Sequence, residues 1–218
     1  MRLPGKSLPA FLQRAPCRTP RVELGQHEFV SKSSFYRHLH AFGAISGFLA
    51  SFLLTIDKIK ILKDAKFNPS CNINEVLNCK SVMLSKQAEV FGFPNSLIGI
   101  GAFAIFIAVA IALLGKVDFP SWFIDIALGG TILGVIFSHW LAYQTTFVIG
   151  ALCPYCMVAW FGNFLILSSL IQTKLEIKSR AIEDEAAKLV ISRVSVFVPV
   201  FHLVWLTLVI GAAYITVS

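Results

Sequence analysis

Five stretches of this chain run apolar, four of them without a charged residue and the third interrupted only by Asp125, and polar segments of very unequal length separate them. Leu39 to Ile56 is the first, and at 1.5 Å per residue it covers about 27 Å as a helix, enough to cross the hydrocarbon layer of a membrane. Asn95 to Gly115 is the second. Trp122 to about Tyr143 and about Pro154 to Thr173 are the third and fourth, joined by a short connection containing Thr145, Thr146 and Gly150. Val194 to Val217 is the fifth. The pattern predicts five transmembrane helices with the termini on opposite sides.

Composition agrees, since 56 % of the residues are hydrophobic and only 14 % charged, against roughly 25 % charged in soluble domains. A net charge of +7 raises the question of nucleic acid. The basic residues lie instead in the tail and loops that flank the apolar runs, where membrane topology puts them, so no nucleic-acid partner is expected. The first 37 residues are basic, carry prolines and lack the apolar core of a signal peptide; they read as a cytosolic tail.

Orientation follows from Lys and Arg. The tail, the link at Lys116 and the segment from Lys174 to Arg193 carry 13 of them, and the loop from Asp57 to Pro94 carries six. Positive residues favour the cytosolic side. The tail is therefore expected inside the cell, with the 57–94 loop and the connection between spans three and four facing outward, on the side where disulfides persist.

Four of the five cysteines fall on that outward side. Cys71 and Cys79 lie in the long loop, and Cys153 and Cys156 form a CPYC motif opening the fourth apolar run. Pro154 suits a first helical turn, which puts Cys153 at or near the N-cap, where the helix dipole favours a thiolate. Cys156 falls one turn deeper. Eight residues separate Cys71 from Cys79, about 12 Å in a straight helix and beyond the ~7 Å reach of a disulfide. A bridge between them needs a bent segment, and Asn68, Pro69, Ser70, Asn72, Asn74 and Asn78 supply the turn chemistry. One dithiol pair at the aqueous face and another at the lipid edge can move two electrons by successive exchange. A static pair clamping helices would explain CPYC but not the second pair. Zinc would use four cysteines, yet C-x7-C is unlike the spacing of structural zinc sites, so no metal is expected. His139 reads as an interfacial or packed histidine, Asp125 as a group reaching headgroup water, and Cys17 as a reduced thiol in the tail.

From Ser34 to about Thr173 the chain resembles the vitamin K epoxide reductase family, in its prokaryotic branch. The resemblance rests on the eight-residue offset of Cys71 and Cys79, on Ser85 six positions later, on FGFPNSLIG from Phe91 to Gly99, and on C-x-x-C at the outer end of the fourth helix. It implies an all-α integral membrane protein: a four-helix bundle around a quinone, capped by the loop, here with a fifth transmembrane helix. It also implies roles. Cys71 would exchange with a thioredoxin-fold (DsbA-like) partner, Cys79 would carry the mixed disulfide to Cys153, and Cys156 would face a quinone of menaquinone or ubiquinone type. Ser85 would help order the cap, and Asn95 would hydrogen-bond a quinone carbonyl.

Two departures bear on function. Where animal relatives have a tyrosine four residues after the second CxxC cysteine, this chain has Trp160, which donates a hydrogen bond but neither accepts nor ionises; quinone reduction is expected rather than epoxide chemistry. Some relatives continue into a fused thioredoxin-like domain, and this chain stops at Ser218, so a separate partner is expected. It would meet Cys71, the outermost thiol, on a cap made basic by Lys58, Lys60, Lys63, Lys66, Lys80 and Lys86. The expected organisation is a cytosolic tail (1–37), a catalytic four-helix domain (38–173) with an outward cap (57–94), a cytosolic linker (174–193) and a fifth span (194–218), in the inner (cytoplasmic) membrane. Two alternatives stand beside it. A DsbB-type quinone reductase would carry its CxxC in the first outward loop, the reverse of this order; a transporter or assembly factor would use the cysteines as structural bridges only.

Overall fold

The computed structural model describes residues 20–179 and single residues between 197 and 215, with side chains described from Ser34 onward. The expected fifth span, most of the linker, and Cys17 lie largely or wholly outside the described residues. The chain divides into two units, Met1–Lys32 and Ser33–Ser218; the membrane-crossing helices and the cap belong to the second.

Among the described residues five α-helices carry the architecture: α1 (Pro20–Lys63), the short α2 (Cys79–Met83), α3 (Asn95–Leu114), α4 (Ser121–Tyr143) and α5 (Pro154–Ser179). Among the described residues four helices are long and apolar enough to cross a membrane: Ser34–Lys63, Asn95–Leu114, Ser121–Ile149 and Pro154–Lys178. Each outruns the apolar stretch that predicted it or matches it closely, because a helix leaving the bilayer keeps its own hydrogen bonds while lysines at its end reach water. Prolines set the starts. Pro94 and Pro120 precede α3 and α4, and their carbonyls accept the first amides, Leu97 and Phe123, at 3.0 Å each; Pro154 is the first residue of α5.

Large apolar side chains such as Ile105, Ile111, Ile126, Leu133 and Ile136 are exposed along α3 and α4, as a lipid-facing belt requires and a water-facing one would not tolerate. The inner faces form layers. Ala44, Phe103, Ile124, Ile166 and Leu170 pack in one cluster, and Val135, Ala142, Trp160, Phe164 and Leu167 in another. α1 and α5 touch backbone to backbone: a Cβ on Gly43 would lie 2.6 Å from the carbonyl oxygen of Gly162. Small residues at that crossing replace the hydrophobic driving force that lipid cannot provide. At the end of the bundle away from the cap, Lys174 pairs with Asp125 at 2.7 Å and donates to Ser121 at 2.6 Å, tying α5 to α4.

Candidate redox-active site

The end of α4 aims the CPYC motif. After Tyr143 the helix widens into a π-helical turn, Gln144–Ile149, and Gly150 ends it in the left-handed region at φ 69°, a conformation that glycine adopts without steric cost. The chain then turns through Ala151 and Leu152 into Cys153. Cys153 is the N-cap of α5. Its sulfur accepts the backbone N–H of Cys156 at 3.3 Å, and its carbonyl accepts that of Met157 at 3.0 Å. The first of these is the bond an N-cap side chain normally takes from the third helical residue. Cys153 is fully buried and Cys156 half-buried, and both are free thiols.

Cys71 and Cys79 are joined in a disulfide, with their Cα atoms 5.8 Å apart. The bend that brings them together is built by asparagines. Asn72 accepts the amide of Lys80 at 3.0 Å and donates to Asn68 at 2.7 Å, Asn74 accepts from Leu77 at 2.7 Å, and Asn78 caps α2 by accepting from Ser81 at 3.0 Å. Neither cysteine of the bridge is open to solvent: Cys71 is 4 % exposed and Cys79 0 %. Packing against Leu54, Ile61, Val82, Met83 and Phe67 accounts for that, and a strap fastens the segment beside it. Lys80 donates to the carbonyls of Ala65 at 2.6 Å and Phe67 at 2.9 Å, and Pro69, close by in the chain, is fully buried. The six cap lysines do not all face solvent. Lys60, Lys63, Lys66 and Lys86 are exposed, whereas Lys58 is buried and Lys80 is spent on the strap.

Two features that no side-chain pattern signals hold the cap against CPYC. Leu77 and Leu152 form an isolated parallel bridge: Leu152 donates to Val76 at 2.6 Å and Asn78 donates to Leu152 at 2.8 Å. The hydroxyls of Ser70 and Tyr155 lie 2.8 Å apart. Each cap cysteine is thus tied, through a neighbour, to the turn carrying Cys153. Cys71, Cys79 and Cys153 share one buried apolar cluster, and Cys156 packs on its edge.

Below that cluster lies a cavity with an empty volume of about 550 Å³, counting the space open to the outside. Cys156, Trp160, Asn95, Ser85 and Lys58 border it, and most of the remaining lining is apolar. Its lining, mostly apolar with a few polar groups, is of the kind that holds a flat ring ligand. Trp160 is 4 % exposed. The Asn95 amide is already used by the cap, donating to Gln87 at 2.7 Å and accepting from Val90 at 3.2 Å. One further hydrogen remains on its nitrogen and one lone pair on its oxygen. Ser85 donates to the carbonyl of Val82 at 2.7 Å, fixing the turn after α2. His139 does not join this lining; its ring packs against Phe164 and Trp205, and Nδ1 lies 2.7 Å from the Val135 carbonyl. Among the described residues no cluster of three His, Cys, Asp or Glu could hold a metal.

The profile of the vitamin K epoxide reductase family matches residues 38–171. No individual curated protein matches the chain. The matched region takes in all four membrane-crossing helices, the disulfide-bearing cap and CPYC, and the chain belongs to the vitamin K epoxide reductase family, as a multi-pass membrane oxidoreductase.

Proposed function

We propose that this protein oxidises a thioredoxin-fold dithiol partner and passes two electrons through Cys71/Cys79 and then Cys153/Cys156 to a membrane quinone, sustaining disulfide formation outside the cytosol. One observation carries the reading: the cap bridge, Cys153 and Cys156 follow one another through a single apolar cluster that ends on the cavity. The excess of basic residues in the tail and inner loops, 13 against six, supports an inward N-terminus in the cytoplasmic membrane.

The partner's thiolate attacks Cys71, and Cys79 leaves as the Cys71–Cys79 bond breaks. The partner's second thiol resolves the mixed disulfide, leaving the cap as a dithiol. Cys79 then attacks Cys153 of the oxidised CPYC pair, Cys156 leaves, and Cys71 restores the cap bridge by displacing Cys153. The Cys156 amide, aimed at the Cys153 sulfur, suits a sulfur that carries negative charge as it leaves. A quinone in the cavity supplies a two-electron, two-proton acceptor. Over one cycle the partner loses two electrons and two protons as its disulfide forms, and the acceptor gains both. Asn95, Trp160 and Ser85 border the cavity in which such a ring would be held.

Anaerobic mixing of the protein with a reduced thioredoxin-fold donor and a soluble quinone tests this through quinone absorbance. Stoichiometric loss of the oxidised quinone is expected; no loss with any such donor sinks the proposal. The burial of Cys71 and Cys79 favours one rival, a purely structural bridge. A mild dithiol separates the two, since a relay bridge exchanges and a structural one resists.

A further inference from the structure

Three lysines crowd the end of α1. Lys60 and Lys63 are exposed, as lysines at a membrane boundary ordinarily are. Lys58 turns the other way. Its side chain is 8 % exposed, beneath the cap, where the ammonium donates to the Met83 carbonyl at 2.7 Å and pairs with Glu89 at 2.9 Å. It also borders the cavity together with Cys156 and Trp160. Burying a cation at the edge of the hydrocarbon layer is costly, and such groups ordinarily serve a ligand or a partner.

We infer that Lys58 makes the cap side of the cavity a cationic subsite, which takes an anionic oxygen of a ring ligand bound beside Cys156. The inference deepens the quinone reading above and rests on it. An ammonium has three N–H donors. Met83 and Glu89 take two, which leaves one for a ligand. Glu89 cancels only part of the charge toward the cavity, because its side chain is 41 % exposed and water screens it, whereas Lys58 is enclosed. The cavity wall is therefore net positive at one point in a lining whose other groups are apolar or uncharged polar side chains. Oxygen atoms of a ring that accepts an electron pair gain negative charge before protons arrive, and a fixed cation there stabilises that charge without reorganising. The contact transfers no proton, so the two-electron, two-proton balance of the cycle is unchanged.

Equilibrium binding tests the subsite without turnover. The protein, with both cysteine pairs oxidised, is titrated with 2-hydroxy-1,4-naphthoquinone, an anion at neutral pH, and with its neutral 2-methoxy counterpart, following tryptophan fluorescence. Wild type is expected to prefer the anion by about tenfold, the factor a single close charge contact gives. Lys58→Met is expected to lose that preference while still binding the neutral ring, and Lys58→Arg to keep it. Glu89→Gln is expected to increase it, because the cation is then unshared. A role confined to holding the cap predicts instead that Lys58→Met and Glu89→Gln weaken both ligands alike. Equal binding of the two ligands by wild type, or a preference that survives Lys58→Met or falls in Glu89→Gln, overturns the subsite. Should Lys58→Met fail to fold, the Glu89→Gln result alone decides. Binding of neither ligand by wild type overturns the quinone reading itself.

Discussion

The two cysteine pairs are built by opposite means. Cys153 and Cys156 owe their arrangement to the start of one long helix, where Pro154, the helical repeat and a single N–H···S bond set the geometry locally. Cys71 and Cys79 sit on a segment with little helix of its own, held by asparagine turns, by Lys80 reaching two carbonyls and by a backbone bridge to Leu152. A helix start is rigid at any stage of the proposed cycle. A cap held by separable hydrogen bonds can open and close, and a bridge that is 4 % and 0 % exposed at its two cysteines needs that freedom before a partner can attack it.

The largest expected effect comes from the rigid pair. Cys156→Ala is expected to abolish quinone reduction, measured as anaerobic loss of quinone absorbance, while exchange between the donor and the cap persists. Full turnover by this variant would break the division of labour.

Loosening the cap is the next test. Lys80→Met removes two bonds from the strap and is expected to cost about 1–3 kcal/mol of cap stability, as hydrogen bonds to a charged group do. Reduction of the Cys71–Cys79 bridge by a mild dithiol, followed by alkylation and mass spectrometry, is expected to quicken several-fold. An unchanged rate would mean that the strap does not gate the bridge.

Tyr155→Phe deletes only the contact with Ser70 and is expected to cost about 0.5–1.5 kcal/mol. It is expected to slow transfer from cap to CPYC by a few-fold, read in a single-turnover quench, with quinone reduction from a pre-reduced CPYC pair unaffected. At the far end of the bundle, Asp125→Asn breaks a pair whose side chains are 29 % and 54 % exposed. A shift of at most about 1 kcal/mol is expected in thermal unfolding, with no change in either transfer step.

The same contrast governs how much the sequence revealed. The four described spans follow from long apolar runs, because a bilayer demands length and apolarity of each helix separately. The position of Cys153 at a helix start was legible from Pro154 alone. The asparagines signalled the bend that allows the Cys71–Cys79 bridge. What the sequence hid is tertiary and mostly backbone-borne: Leu152 meeting Val76 and Asn78 leaves no pattern, and nothing distinguishes Lys58 and Lys80, turned inward, from Lys60 and Lys63 beside them. The same blindness hid the burial of the Cys71–Cys79 bridge, since Lys80, which fastens the cap beside it, reads as surface charge.

The central claim is that Cys79 reaches Cys153 while Cys156 serves the cavity. A variant carrying Cys17→Ala, Cys71→Ala and Cys156→Ala retains only that one pair of thiols, and gentle oxidation followed by peptide mass spectrometry reports whether they meet. A Cys79–Cys153 cross-link in most molecules is the predicted result. Thiols that both remain free, in a protein that still binds its quinone, would contradict the account.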